Sequence, residues 1–286
     1  MLLPAWLLPE AAWPMLCRAL ARIPWLTDRP LFVRTAASLQ VALGERDHRR
    51  AAALARNLQA AVYELRMQNL RAWRPGGWEP EIALEGEDNL VKALTRGNGA
   101  VLWVAHFAFN SNITKIALHR RGYRVSHLSR PEHGFSKTRF GVAALNPVRC
   151  GSEDRYLAQR VVFDRRAPST AMRKMVQALR GNDVVSITAG AWEGSDLAEG
   201  PLCGGRLSIA IGAPRLAAHT GAALLPVFSV RDHGLGFRTV IEPPIAVEAS
   251  RSDMHGAAAV EFLRRHEPWV RQFPDQWRGW KELRHS

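Results

Sequence analysis

The strongest evidence for the fold is the segment Ala100-Val101-Leu102-Trp103-Val104-Ala105-His106-Phe107-Ala108-Phe109-Asn110-Ser111-Asn112. Its first six residues are apolar and predict a buried strand, and the polar residues at its end can open a helix. His106 therefore lies at the carboxyl end of a strand, where open α/β folds place their functional sites. Because imidazole exchanges a proton near neutral pH, His106 is a candidate general base. A structural role for this single histidine is the alternative.

Strands and helices alternate along the rest of the chain, which predicts an α/β fold. Apolar runs predict strands over 100–105, 123–128, 183–188, 224–229 and 237–241. Apolar residues at helical spacing predict helices over 33–72, 88–96, 112–120, 170–180 and 214–220. We therefore expect a mostly parallel central sheet flanked by helices. We assign an N-terminal helical segment to residues 1–44 and one catalytic domain to residues 45–286.

The first 25 residues are apolar but are interrupted by proline at positions 4, 9, 14 and 24. A membrane-spanning helix needs roughly 20 mostly apolar residues, so this segment falls short of one. Trp6, Trp13 and Trp25 suit the headgroup layer of a bilayer, and Arg18 and Arg22 suit anionic lipid. The segment is therefore predicted to associate with a membrane surface. A helix hairpin packed on the core is the alternative.

The chain is strongly basic, with 39 Lys and Arg against 26 Asp and Glu, a net charge of +13. Such a field attracts polyanions, and the candidates are nucleic acid, an anionic membrane and an acidic carrier protein. The sequence contains no nucleic-acid-binding motif, so we expect no nucleic-acid partner. Cys17, Cys150 and Cys203 show neither metal-ligand spacing nor a paired framework, so we expect no metal and a reducing compartment.

Five blocks of the sequence occur in the order found in a known enzyme family. The blocks are Val104–Phe107, Ser129-Arg130-Pro131, Met172–Asp183, Ile211–Val227 and Pro274-Asp275-Gln276-Trp277-Arg278-Gly279-Trp280. Together they resemble the lauroyl/myristoyl acyltransferases of lipid A biosynthesis, within the lysophospholipid acyltransferase superfamily. The resemblance extends from about residue 30 to residue 285.

The chain departs from this family at one motif position. The family carries His-x4-Asp/Glu, in which the carboxylate orients the imidazole, whereas the fifth residue after His106 is Ser111. Ser111, Asn110 or Asn112 can orient His106 by hydrogen bonding. Alternatively, Asn110 and Ser111 can simply cap the helix. A carboxylate can come from elsewhere, and the candidates are Glu132, Asp164 and Glu193. A third explanation is that the site has lost its chemistry.

The resemblance implies substrate contacts for further residues, beside Asn110 and Asn112. Arg130 matches an arginine of the family and, with Arg139, is expected to contact an anionic acceptor; a surface ion pair is its alternative role. Glu193 lies in a block similar to Pro-Glu-Gly-Thr. Arg206 follows two glycines, in a loop similar to one near an acceptor phosphate.

The resemblance implies transfer of a fatty acyl group from a thioester to a hydroxyl or amine of a lipid or glycolipid. His106 would be the general base, and Ser111 would assist it. The donor would be carried by acyl carrier protein or coenzyme A, with no other cofactor, at the cytoplasmic face of the inner membrane. This interpretation requires an open space for an alkyl chain beside His106. A lipid-binding or partner-regulating relative without full activity is the alternative, because of Ser111.

Overall fold

The computed structural model describes residues 1–23, 28–44, 47–130, 134, 138, 142–143, 146–164, 166–190, 196–232, 234–247 and 253–285. Four residues singled out in the sequence lie outside these ranges: Trp25, Glu132, Arg139 and Glu193.

The described elements alternate between strand and helix over most of the chain. The strands are β1 (Ile82–Glu85), β2 (Ala100–Val104), β3 (Val125–Ser129), β4 (Gln159–Val162), β5 (Val184–Thr188), β6 (Leu197–Leu202), β7 (Gly205–Ala210), β8 (Ala223–Arg231) and β9 (Phe237–Ile241). The helices are α1 (Leu2–Leu7), α2 (Trp13–Leu20), α3 (Arg29–Ala42), α4 (His48–Trp73), α5 (Glu87–Leu94), α6 (Asn110–Arg120), α7 (Asn146–Asp154), α8 (Pro168–Arg180), α9 (Gly212–Thr220) and α10 (Asp253–Gln272).

Seven strands form one sheet in the order β1-β9-β8-β2-β5-β3-β4, and β6 pairs with β7 as a separate antiparallel hairpin. Within the large sheet, the pairing of β8 with β9 is antiparallel and the others are parallel. Val101 and Trp103 of β2 pack into one apolar cluster, and Leu102 and Val104 pack into another on the opposite face. A strand covered on both faces must be apolar throughout, which explains its sequence. The predicted α/β fold with a mostly parallel sheet is confirmed.

The single helix predicted over 33–72 is wrong, because two helices, α3 and α4, occupy this region. Gly44 follows α3 with φ of +62°, a left-handed conformation that ends helices. The carboxylate of Asp47 then accepts a hydrogen bond of 2.8 Å from the backbone N–H of Arg49 and caps α4. Strands β1 and β4 have no sequence prediction because exposed residues interrupt their short apolar patterns at the sheet edges.

The N-terminal helices pack on α4, so the predicted membrane surface is in part a core contact. Trp13 is 1% exposed and lies with Met67 in an apolar cluster, so its predicted place in a headgroup layer is wrong. The indole N–H of Trp6 donates to the carbonyl oxygen of Leu70 at 2.8 Å. The outer side of the segment remains apolar, and Leu7 is 76% exposed. Within the described residues, no helix is long and apolar enough to cross a membrane.

Candidate active site

His106 directly follows the fully buried central strand. Because β2, β3, β5 and β8 run parallel, their carboxyl ends meet at one edge of the sheet. This edge carries His106 after β2, Arg130 after β3, Gly190 after β5 and Arg231 at the end of β8. His106 is a partly exposed residue, and its apolar neighbours Ala105 and Phe107 are fully buried. The sequence therefore located both the edge and the imidazole correctly.

The C-terminal segment after α10 closes over the backbone around His106. The N–H of Arg278 donates to the carbonyl oxygen of His106 at 3.1 Å, and the N–H of Ala108 donates to the carbonyl oxygen of Gln276 at 2.7 Å. The side-chain amide of Gln276 makes two 2.8 Å hydrogen bonds to the backbone of Arg231, one to its N–H and one to its carbonyl oxygen. This segment contains the last block of the resemblance, but no local pattern predicted that it would lie against His106.

Gln276 is followed by buried aromatic residues. Trp277 and Trp280 are 1% and 0% exposed, and their rings meet edge to face with centroids 4.7 Å apart. Trp277 also forms an isolated β-bridge with Phe107, beside His106. These tryptophans therefore pack in the core and hold the C-terminal segment in place.

The first turn of α6 offers His106 no carboxylate. Asn110 is buried, and its side-chain amide donates to the carbonyl oxygen of Ala105 at 2.9 Å. Phe109 occupies the N-cap position without a side-chain hydrogen bond, so the predicted capping by Asn110 or Ser111 is wrong. The hydroxyl of Ser111 and the whole amide of Asn112, which is 0% exposed, have no hydrogen-bond partner among the described residues. A buried polar group without a partner costs about 1–3 kcal/mol, so these groups lower the stability of the fold locally.

Cations surround His106. Burial is the main cause that holds the pKa of its imidazole well below the ordinary value of 6.5, and the charges of Arg278, Lys281, Arg130 and Arg149 lower it further. The imidazole is therefore neutral at physiological pH and can accept a proton. Its protonated form is destabilised by the surrounding positive charge, so it needs a compensating anion in the reaction.

Arg278 lies among other cations, and its own pKa is shifted. Burial and the neighbouring charges of Arg149, Arg130 and Arg66 lower the pKa of its guanidinium to about 10. Its backbone N–H binds the carbonyl oxygen of His106, whereas its guanidinium has no hydrogen bond or ion pair within the described part of the chain. A guanidinium held among other cations favours binding of an anionic group such as phosphate or a developing oxyanion.

Beside α6, a buried carboxylate gathers three cations. Glu153 of α7 is 0% exposed and forms ion pairs with Lys115, with Arg149 at 3.1 Å and with Arg160 at 3.3 Å. Arg149 also donates to the carbonyl oxygen of Gly134 at 3.0 Å. Asp154 also pairs with Arg160 at 2.7 Å, so two carboxylates face three cations and part of the positive charge remains. The cluster therefore adds to the basic field around His106, and sequence reasoning did not identify it.

The cavity beside His106 has a volume of about 10 Å³. Apolar side chains form much of its wall, among them Leu207, Ile209 and Phe262. Its polar lining residues are His106, His266 and Glu282. A volume of this size matches roughly one water molecule. The described residues therefore do not form the expected space for an alkyl chain, and such a chain can bind against this wall only if side chains move.

The remaining candidates are not brought to this cavity. Arg206 is exposed on β7, where it pairs with Glu199. Asp164 is exposed and accepts a hydrogen bond of 2.9 Å from the N–H of Arg166, so its carboxylate stabilises a local turn. Arg130 lies near enough to affect the pKa of His106. Arg139, Glu193 and Glu132 fall outside the described residues.

Comparison with known sequences agrees with this arrangement. A search of curated proteins gave no match. A sequence model of the bacterial lipid A biosynthesis acyltransferases matches residues 4–281, nearly the whole chain. That match includes the strand that precedes His106 and the C-terminal segment that binds its backbone. The chain therefore belongs to the bacterial lipid A biosynthesis acyltransferase family.

Proposed function

We propose that this protein transfers a fatty acyl group from a thioester to a hydroxyl or amine of a lipid or glycolipid, with His106 as the general base. One observation carries the proposal. His106, a partly exposed residue with a neutral imidazole, stands at the carboxyl edge of the sheet among cations that can bind anionic substrates. Acyl carrier protein and coenzyme A both present their thioester on an arm that contains phosphate, and both suit this field.

The reaction needs one proton acceptor and one site for negative charge. His106 removes the proton from the acceptor hydroxyl or amine as that group attacks the thioester carbonyl carbon. The carbonyl oxygen becomes an oxyanion, which the guanidinium of Arg278 is suited to stabilise. The carbon–sulfur bond then breaks, and the imidazolium returns the proton to the departing thiolate. No covalent bond to the enzyme is required.

The proposed location is the cytoplasmic face of the inner membrane. Leu3, Leu7 and Met15 are at least 70% exposed on the N-terminal segment, and the chain carries a net charge of +13. Exposed apolar side chains beside arginines favour shallow binding to an anionic bilayer. The acceptor lipid would reach His106 from that surface.

Replacement of His106 tests the proposed chemistry. We expect His106→Ala to lower kcat by about 10²–10⁴-fold with lauroyl-coenzyme A or lauroyl-acyl carrier protein as donor and a lipid A precursor as acceptor. The matched control is His119→Gln, because His119 is exposed on α6 and contacts Tyr156. Equal turnover by wild type and His106→Ala would remove this histidine from the reaction. No turnover by the folded wild type with either donor would favour the lipid-binding alternative.

A vesicle assay tests the proposed membrane contact. We expect the double variant Leu3→Ser/Leu7→Ser to reduce the fraction bound to phosphatidylglycerol vesicles by about tenfold or more, because each leucine contributes about 1.5–3 kcal/mol when buried in an apolar phase. Val91→Ser is the control, since Val91 is 46% exposed on α5, away from this segment. Unchanged sedimentation of the double variant would exclude the segment as the anchor.

A further inference from the structure

Glu282 and His266 share the cavity of His106, and neither has a role in the reaction as described. Among the described residues that line this cavity, Glu282 carries the one carboxylate. Its position follows from a turn, in which its backbone N–H donates to the carbonyl oxygen of Gly279 at 2.9 Å. Gly279 lies next to Arg278, whose N–H binds the carbonyl oxygen of His106. The C-terminal segment therefore brings a carboxylate to the cavity that His106 lines.

Glu282 is partly buried and lies among positively charged side chains. Its side chain is 24% exposed and lies 3.7 Å from the ammonium of Lys281. Burial raises the pKa of its carboxyl group, and the charges of Lys281, Arg278 and Arg130 oppose that rise. The carboxylate thus faces the same cations that disfavour protonation of His106. Among the residues described around the cavity, it is the source of the negative charge that an imidazolium there requires.

His266 of α10 is an unexplained polar group in an apolar site. Its ring is 3% exposed, and the ring centroids of Phe107, Phe228, Phe262 and Trp277 lie 5.5–5.7 Å away. Both ring nitrogens have no hydrogen-bond partner among the side chains and backbone that the structure describes. Burial lowers its pKa to about 3, so the ring is neutral. A phenylalanine would fill this space without the cost of an unpaired polar group, so the imidazole has a role toward the cavity.

We propose that Glu282 is the carboxylate that orients His106 for acyl transfer, and that His266 completes the hydrogen bonding of the cavity that all three residues line. This inference rests on the proposed function of His106. The contact passes through one water molecule, for which a cavity of about 10 Å³ has room. Glu282 and His266 are positioning residues, since they act through His106. Glu282 would thereby replace the acid absent at position 111.

Replacement of Glu282 tests this inference. We expect Glu282→Gln to lower kcat by about 10–100-fold with little change in KM, as loss of an orienting partner does at other sites. The variant also loses a negative charge beside the imidazole, so the pKa of His106 falls. Because neutral His106 is the active form, the acid limb of the pH–rate profile then moves to lower pH. Glu267→Gln is the matched control, since Glu267 lies on α10 and pairs with Arg271 at the surface.

Rescue distinguishes positioning from a structural effect. Adding Ser111→Asp to Glu282→Gln places a carboxylate at the motif position on α6. We expect the double variant to have a kcat at least tenfold higher than that of Glu282→Gln alone. His266→Phe should raise Tm, because it removes unpaired polar atoms, and should lower kcat.

A Glu282→Gln enzyme with wild-type kcat and an unshifted pH profile overturns the inference, while His106→Ala still tests the proposed function separately. An NMR titration of His106 gives a readout that needs no turnover: an equal pKa in wild type and Glu282→Gln also overturns it.

Discussion

Two segments pack around His106, the first turn of α6 and the C-terminal segment after α10. They differ in how many of their polar groups have hydrogen-bond partners. The first turn of α6 follows His106 closely in the sequence. It is bound to the end of the strand through the hydrogen bond from Asn110 to the carbonyl oxygen of Ala105. Its next two residues, Ser111 and Asn112, leave buried polar atoms without partners among the described residues. The C-terminal segment comes from about 170 positions further along the chain. It forms four hydrogen bonds to the residues around His106, one through the backbone N–H of Arg278 and three through Gln276.

The two segments therefore have different roles at the site. The helix side fixes the direction in which the strand ends, using neutral hydrogen bonds. The C-terminal side supplies the charges, with Arg278, Lys281 and Glu282 close enough to shift pKa values or line the cavity. The charges near His106 therefore do not depend on an acid in the helix that carries Ser111.

The largest expected contrast between the two sides is in catalysis. We expect Arg278→Gln to lower kcat by about 10²–10³-fold, the loss that follows removal of one oxyanion donor, and Ser111→Ala to change it less than threefold. Arg278→Gln should also raise Tm, because burial and neighbouring arginines make the charged guanidinium costly to the fold. Arg271→Gln, at the surface of α10, is the control for lost charge. Equal losses from Arg278→Gln and Ser111→Ala would contradict a division of tasks.

A smaller contrast is expected in stability. Gln276→Ala removes two hydrogen bonds to the backbone of Arg231 and should lower the free energy of unfolding by about 1–3 kcal/mol. Asn110→Ala removes one such bond and should cost about 1 kcal/mol. Urea unfolding of both variants measures the difference. A larger loss from Asn110→Ala would show that the helix side, and not the C-terminal side, holds the site together.

Much of the fold was predictable because its strands are buried on both faces. Continuous apolar runs identified β2, β5 and β8, and apolar residues at helical spacing identified α5, α6, α8 and α9. Edge strands β1 and β4 escaped prediction since their exposed residues break the pattern. Trp13 illustrates another failure: an indole suits a membrane interface and a core equally well in sequence, and only its packing against α4 decides.

The sequence by itself determined the parallel α/β fold, the family and the place of His106 at the end of a buried strand. These follow from local patterns of apolar residues and from motifs that lie within a few positions of one another. The tertiary structure decided which charges surround that histidine. Arg149, Arg278 and Glu282 come from distant parts of the chain, and their approach depends on long-range packing that no local pattern encodes. It also decided that the space beside the imidazole is narrow, because side chains of β7 and α10 meet there.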